Sequence, residues 1–187
     1  MNPLLRQLLE QYKEIPLSGE DVKKLLDGKV KIIKYPDIHK FDNIDELIHP
    51  YDCAIILYEY YEHYGHWCWL IMTELEDGSK TLEFGDPYGK TIDYVLTKIP
   101  EPYKSQSNQD YPYLTRLMYN SPYECSYNDF KFQKIGDKIS TCGRWSTLRC
   151  LLKQLPLAEF KKLFYGEYSD DLATFLTSNR SQVEEVK

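Results

Sequence analysis

Apolar residues recur at helical spacing from the start of the chain: Leu4, Leu5, Leu8, Leu9 and Tyr12 follow Asn2-Pro3, a capping residue with proline at the first helical position. An amphipathic helix is predicted there. A second start signal at Ser18, with Val22, Leu25 and Leu26 as its apolar face and Gly28 as its stop, predicts another. Together they form a peripheral N-terminal layer over residues 1–28. The period then changes. A short strand is predicted over 30–33 and a helical turn over 44–48, behind Asp42-Asn43. The continuous apolar runs at 53–58 and 67–72 have the form of buried strands. Glu76-Asp77-Gly78-Ser79 carries hairpin turn chemistry, which brings 80–85 back as the antiparallel partner.

Residues 99–112 hold three prolines among polar residues and predict an exposed connection. A short helix over 114–119 and a strand over 129–133 follow. Ser140 or Thr141 caps a helix in which Cys142, Trp145, Leu148, Leu152 and Leu155 share one apolar side, a helix expected to be central. Pro156 opens the next, with Phe160, Leu163 and Phe164 turned inward, and 169–176 form the last. From Ser178 the tail is polar and is expected to be disordered. Clustered strands with helices on both sides of them in sequence predict an α+β fold. At 187 residues the chain reads as one domain, with a core over 29–177 and a tail over 178–187.

Charge narrows the function classes. A formal net charge of −6, from 29 acidic and 23 basic residues, argues against a primarily electrostatic nucleic-acid binder. Aromatic content of 14%, with 17 tyrosines, suits core margins and recognition clefts. No apolar run approaches the roughly 18 residues of a membrane span, and no basic stretch leads into a signal-like apolar region. The expectation is a soluble, intracellular protein. Five cysteines (Cys53, Cys68, Cys125, Cys142, Cys150), odd in number and without framework spacing, predict free thiols in a reducing compartment.

Four short stretches hold the candidate chemistry. Cys142 stands where a helix begins, a position whose partial positive charge favours thiolate, and Gly143 after it lets a substrate carbonyl approach the backbone. His66 opens a buried strand between Gly65 and Trp67. His63 competes from a polar, aromatic loop, while His39 and His49 lie in loop-like segments. If His66 begins one hairpin strand and Asp86 ends the next, the two meet at one end of the hairpin, as a base and its orienting carboxylate require. Glu83, inside that strand, is the rival carboxylate. Gln133 lies nine residues before Cys142 and offers a side-chain amide for an oxyanion hole. Taken singly, each has an ordinary structural explanation: a buried thiol, a satisfied core histidine, an Asp-Pro-Tyr-Gly turn, a glutamine in a strand.

The order His, Asp, Gln, Cys, with Gly65-His66-Trp67 opening a strand, Gly85-Asp86-Pro87-Tyr88-Gly89 closing the next and Cys142-Gly143-Arg144-Trp145 starting a helix, resembles the adenain-like cysteine proteases. These are relatives of the SUMO-processing enzymes. The likeness spans about residues 50–155 and is greatest to the maturation proteases of virophages and polinton-type elements, of the Mavirus kind. It implies a papain-like architecture, a central mixed sheet packed by the nucleophile helix. It also implies that Cys142 attacks, His66 acts as base and then acid, Asp86 orients His66, Gln133 holds the oxyanion, and Trp67 shapes the cleft. No cofactor or metal is implied. The implied substrates are capsid or other virion precursors, and the implied location is the virion and the host-cell interior, with no membrane association. An activating peptide, linked through Cys125, belongs to the same resemblance, whereas the acidic balance speaks against activation by DNA. The interval from Gln133 to Cys142 is longer than the family's and leaves an extra loop over 134–140.

Three other readings use the same residues. A deubiquitinating or deSUMOylating protease would share the catalytic group and differ in substrate, and an acetyltransferase would share the thiol. A structural zinc module would draw on His63, His66, Cys68 and Cys142 or Cys150, although no Cys-x-x-Cys pair accompanies them. An inert interaction module would have no use for all four roles.

Overall fold

The two apolar runs become the middle of a sheet. In the computed structural model, which describes residues 3–182, β1 (Lys31–Lys34), β2 (Cys53–Tyr61), β3 (Tyr64–Glu74), β4 (Lys80–Gly85) and β5 (Glu124–Tyr127) lie side by side in chain order. β1 runs parallel to β2, the β2–β3–β4 meander is antiparallel, and β5 runs parallel to β4. The sheet is therefore mixed, as expected. The helices are α1 (Pro3–Glu14), α2 (Gly19–Leu25), α3 (Ile44–Ile48), α4 (Glu101–Gln106), α5 (Tyr113–Tyr119), α6 (Cys142–Leu151), α7 (Leu157–Phe164) and α8 (Ser169–Gln182).

Each face of the sheet has its own core. Ala54, Ile56, Tyr58, Leu70 and Phe84 pack against α3, α5 and two 3-10 turns. Ile55, Trp67, Trp69 and Ile71 pack against α2, α6, α7 and α8. Burial on both faces is the reason β2 and β3 read as unbroken apolar runs rather than as alternating ones. Residues 59–61, expected in a loop, extend β2, and only Glu62 and His63 make the turn, His63 with φ 61°.

Several boundaries differ from expectation for identifiable reasons. The strand expected over 129–133 is irregular chain: the N–H groups of Phe132 and Gln133 both donate to the Pro87 carbonyl, at 2.9 and 3.0 Å, and make no ladder. The fifth strand comes a few residues earlier, and its four exposed residues show no apolar pattern. Inside the connection over 99–112, α4 forms and Gln109 is fully buried, its amide bonded to both backbone groups of Glu59 at 3.1 and 2.9 Å. In α7, Phe160 and Phe164 face inward but Leu163 is exposed. Leu155 lies beyond the end of α6. The last helix continues through Gln182, so 178–182 are helical, while 183–187 fall outside the described residues.

The central helix is buried on all sides, from Cys142 to Cys150. Two arginines lie there: Arg149 in an ion pair, and Arg144 bonded through both Nη groups while its Nε has no partner among the described residues. Arg149 meets Glu83 through Nε and Nη2, at 2.8 and 2.7 Å, and Trp69 Nε1 donates to the same carboxylate at 2.7 Å. Glu83 is thereby committed to the α6 side of the sheet. Arg144 donates from Nη1 to Thr177 Oγ1 at 2.7 Å and from Nη2 to the Tyr12 carbonyl at 3.0 Å, joining α6 to α8 and α1. Arg149→Met strands the Glu83 carboxylate and is expected to cost about 3–5 kcal/mol of folding free energy. Urea denaturation measures this, and a loss below about 1 kcal/mol would contradict the account.

Candidate active site

The site begins where β4 stops. Its last pairing, Gly85 with Trp69, leaves the β3 edge before Trp69 without a strand partner. Helix α6 takes that place. Ser146 Oγ donates to the Trp67 carbonyl at 3.2 Å, and the Trp67 N–H donates to the sulfur of Cys142. Cys142 and Ser146 are four residues apart and share a helix face, so one helical turn replaces a stretch of ladder and brings the thiol to the strand that carries His66.

Cys142 is the first residue of α6, after the cap residue Thr141, whose side chain makes no capping bond to the helix. The first-turn N–H groups therefore remain turned toward the sulfur. Burial pushes the Cys142 thiol up, but the hydrogen bond and charge of His66, with the N–H groups of Trp67 and Gly143, outweigh it and leave the thiol below its ordinary value of 9.0. For His66, burial disfavours the charged ring, and the acidic neighbours Cys68, Asp86 and Cys142 outweigh it, raising the imidazole well above 6.5. Both shifts favour a thiolate beside an imidazolium.

His66 Nε2 lies 3.0 Å from Asp86 Oδ1. Asp86 follows the last β4 pair directly, and the hairpin does bring the two residues to one end. With Nε2 held by the carboxylate, Nδ1 is the nitrogen left for Cys142. The same Asp86 oxygen accepts the Tyr88 N–H at 2.6 Å, and Asn128 clamps the Asp86 backbone from both sides, at 2.8 and 2.7 Å. The Tyr88 ring stacks on His66 with centroids 5.0 Å apart and planes 15° from parallel. Gly85 is required by close approach, because a Cβ there would sit 1.8 Å from the Trp69 indole.

Gln133 is buried and joined to the group through Tyr88: its Nε2 donates to Tyr88 Oη at 3.0 Å and to the Ile139 carbonyl at 3.1 Å. An oxyanion would have to take over one of these bonds. The extra loop over 134–140 is accommodated by the second of them. Trp67 donates from Nε1 to the Leu17 carbonyl at 3.1 Å, and a Cβ on Gly143 would come within 3.1 Å of Trp67 Cδ1 and 3.2 Å of Leu17 Cβ. Beside Trp67 a cavity of about 860 Å³ runs between α2 and β1, lined by Leu17, Gly19, Ile32, Lys34 and Tyr64 among others.

The other candidates separate from this group. His63 lies in the β2–β3 turn with its ring three-quarters exposed. Cys150, near the other end of α6, hydrogen-bonds Cys53. The zinc set built on His63 is thus not assembled. His66, Cys68 and Asp86 do place their donor atoms within 4.8 Å of one another, and this is where a soft metal ion could be held. Those atoms already satisfy one another as hydrogen-bond partners. Cys68, though it also contacts His66, is no rival nucleophile: burial pushes its thiol up to about 12. All five cysteines are free thiols, and Cys125 is exposed. In the sequence Cys68 enters only as a zinc candidate beside His66 and Tyr88 only as part of the Asp-Pro-Tyr-Gly motif, while Asn128 and Ser146 carry no signal.

Fold and geometry together define an α+β protein with a buried Cys–His–Asp line at the end of a mixed sheet. The ASFV pS273R protease has a similar fold: two crystal structures of it align with TM-scores of 0.52 at 13% and 12% identity, covering 89% of this chain and 68% of that one. No family model matches the sequence. The chain is 41% identical over 175 residues to the uncharacterized protein V9 of Sputnik virophage, an alignment that covers 90% of this chain and 98% of V9. It belongs to the same protein family as V9. Among the described residues no helix is long and apolar enough to cross a membrane.

Proposed function

We propose that this protein is a cysteine endopeptidase that matures virion proteins, with Cys142 as nucleophile, His66 as general base and acid, Asp86 as the group that orients His66, and Gln133 as an oxyanion donor. The observation that carries the reading is the Cys142 thiol, buried at the start of α6 yet held below its ordinary pKa by His66, which in turn rests on Asp86. In the proposed reaction the thiolate attacks the scissile carbonyl and the imidazolium protonates the leaving amine. His66 then draws a proton from the water that releases the acyl group. The cavity beside Trp67 is the proposed path of the substrate chain.

Capsid precursors are proposed as substrates on the strength of kinship with a virophage protein and a fold shared with a viral protease. Incubating wild type and Cys142→Ala with the virion proteins and mapping new termini by mass spectrometry tests this. Cleavage of ubiquitin or SUMO fusions with none of virion proteins would replace the maturation reading by the deconjugating one.

Asp86→Asn is expected to lower kcat by about 10²–10⁴ and leave more activity than loss of His66, because Tyr88 stacking still aligns the ring. Removing the carboxylate also takes away support for the imidazolium. The alkaline limb of the pH profile, where His66 loses its proton, therefore moves to lower pH. A limb that stays in place would remove Asp86 from the role.

A further inference from the structure

Asp170 stands in the first turn of α8 and is 3% exposed. Its two oxygens serve two different segments. Oδ1 accepts from Thr141 Oγ1 at 2.6 Å and from Trp145 Nε1 at 2.9 Å. Oδ2 accepts from the backbone N–H of Lys134 at 2.9 Å. Thr141 immediately precedes Cys142, and Lys134 immediately follows Gln133. One buried carboxylate is thus tied to the residues adjoining two proposed members of the site.

We propose that Asp170 is a positioning residue: it holds the nucleophile helix and the Gln133 segment at one fixed separation, so that the thiolate reaches the carbon and the amide the oxygen of the same carbonyl group. The inference rests on the proposed protease mechanism and deepens it. The arrangement needs a carboxylate, since only two acceptor oxygens on one planar group reach donors from both segments. Three donors converge on it in the first turn of α8. The geometry also explains the cap of α6. The Thr141 hydroxyl is used outward, on α8, instead of on its own helix, which leaves the first-turn N–H groups free for the sulfur and a developing oxyanion. Pro87 binds the same segment from the other side, through the N–H groups of Phe132 and Gln133, so residues 132–134 are held at three consecutive amides.

Two reactions at Cys142 distinguish positioning from a general effect on the thiol. Alkylation by iodoacetamide reads the thiolate alone, because displacement of iodide builds no oxyanion. Acylation by p-nitrophenyl acetate reads the thiolate and the oxyanion site together. Asp170→Asn keeps an acceptor for Thr141 and Trp145 but sets an NH₂ group against the Lys134 N–H. The expected result is acylation slowed by about 10–100-fold, with the rate and pH dependence of alkylation within about twofold of wild type. In a Gln133→Ala background the same substitution should have no further effect on acylation, since the two act through one group.

Unchanged acylation in Asp170→Asn, with Gln133→Ala impaired, overturns the inference and leaves the protease reading intact. Alkylation and acylation falling together also overturns it, because the carboxylate then acts on the thiol or the fold. If Gln133→Ala is itself silent, the oxyanion role and the inference fall together. Should Asp170→Asn not fold, Lys134→Pro removes the one N–H that Oδ2 accepts. It is expected to slow acylation at least about tenfold more than Lys134→Ala, which keeps that N–H; equal rates in the two variants overturn the proposal.

Discussion

Cys142→Ala is expected to lower peptide-bond cleavage by roughly 10⁴–10⁶-fold while the protein stays folded. The size of the effect follows from the way the group works. A nucleophile and its base act as one unit, so what survives removal of the sulfur is only the contribution of binding and oxyanion donors. The fold survives because Cys142 supplies one sulfur atom at the margin of a core built by Trp69, Trp145, Phe132 and Phe160. Its loss opens a small, partly exposed gap, worth about 1 kcal/mol. Turnover of the virion precursors and a thermal melt on the same sample measure both halves. Full activity in the Ala variant would sink the mechanism.

His66→Ala carries the second large effect, on the thiol itself. In the wild type, burial alone would raise the Cys142 pKa, and His66 reverses the sign. Without the imidazole, burial is opposed only by two backbone N–H groups, and the thiol moves upward. Each unit of that shift costs about tenfold in thiolate at a fixed pH on the acid side. Iodoacetamide labelling of Cys142 at pH 7 should therefore fall at least about tenfold, and cleavage with it. In the wild type, labelling should extend below the ordinary thiol range and precede that of Cys53, Cys68, Cys125 and Cys150. The exposed Cys125 is the sharp comparison, since access alone would favour it. The signs also shape the pH profile. Cleavage is expected to rise as Cys142 ionises, at a pH below 9.0, and to fall as His66 loses its proton, at a pH above 6.5. Labelling that is unaffected by the His66 substitution would detach the imidazole from the thiol.

Much of this site was legible along the chain, for reasons that differ by residue. Cys142 could be placed because a cap signal and an apolar helical face fix a helix start locally. His66 and Asp86 could be brought together because Asp77-Gly78 sets a hairpin, and a hairpin converts twenty residues of separation into adjacency. Gln133 was less legible. The strand expected for it does not form, because its segment hydrogen-bonds a turn carbonyl, a partner no periodicity announces. Trp67 was visible as an aromatic beside the histidine, whereas its bond to Leu17 and the cavity it borders depend on where α1 and α2 settle. Leu163 and the four exposed residues of β5 mark the same limit from the other side. One is apolar and faces water, and the others form a strand with no buried face.

The sequence by itself determined the strands that build the meander, the start of α6 and the order of the four candidate residues, because each is set by signals within about ten residues of chain. The tertiary structure alone decided what the rival carboxylate Glu83 does instead. Glu83 and Asp86 are three residues apart, yet one is bound to Arg149 and Trp69 under the central helix and the other to His66 beyond the end of β4. Tertiary packing alone also decided that α6 would complete the open edge of β3, that Tyr88 and Asn128 would bond Asp86, and that Asp170 would bond Thr141 and Lys134. Those contacts join residues from 2 to 79 positions apart, and the most distant of them depend on how the helices pack.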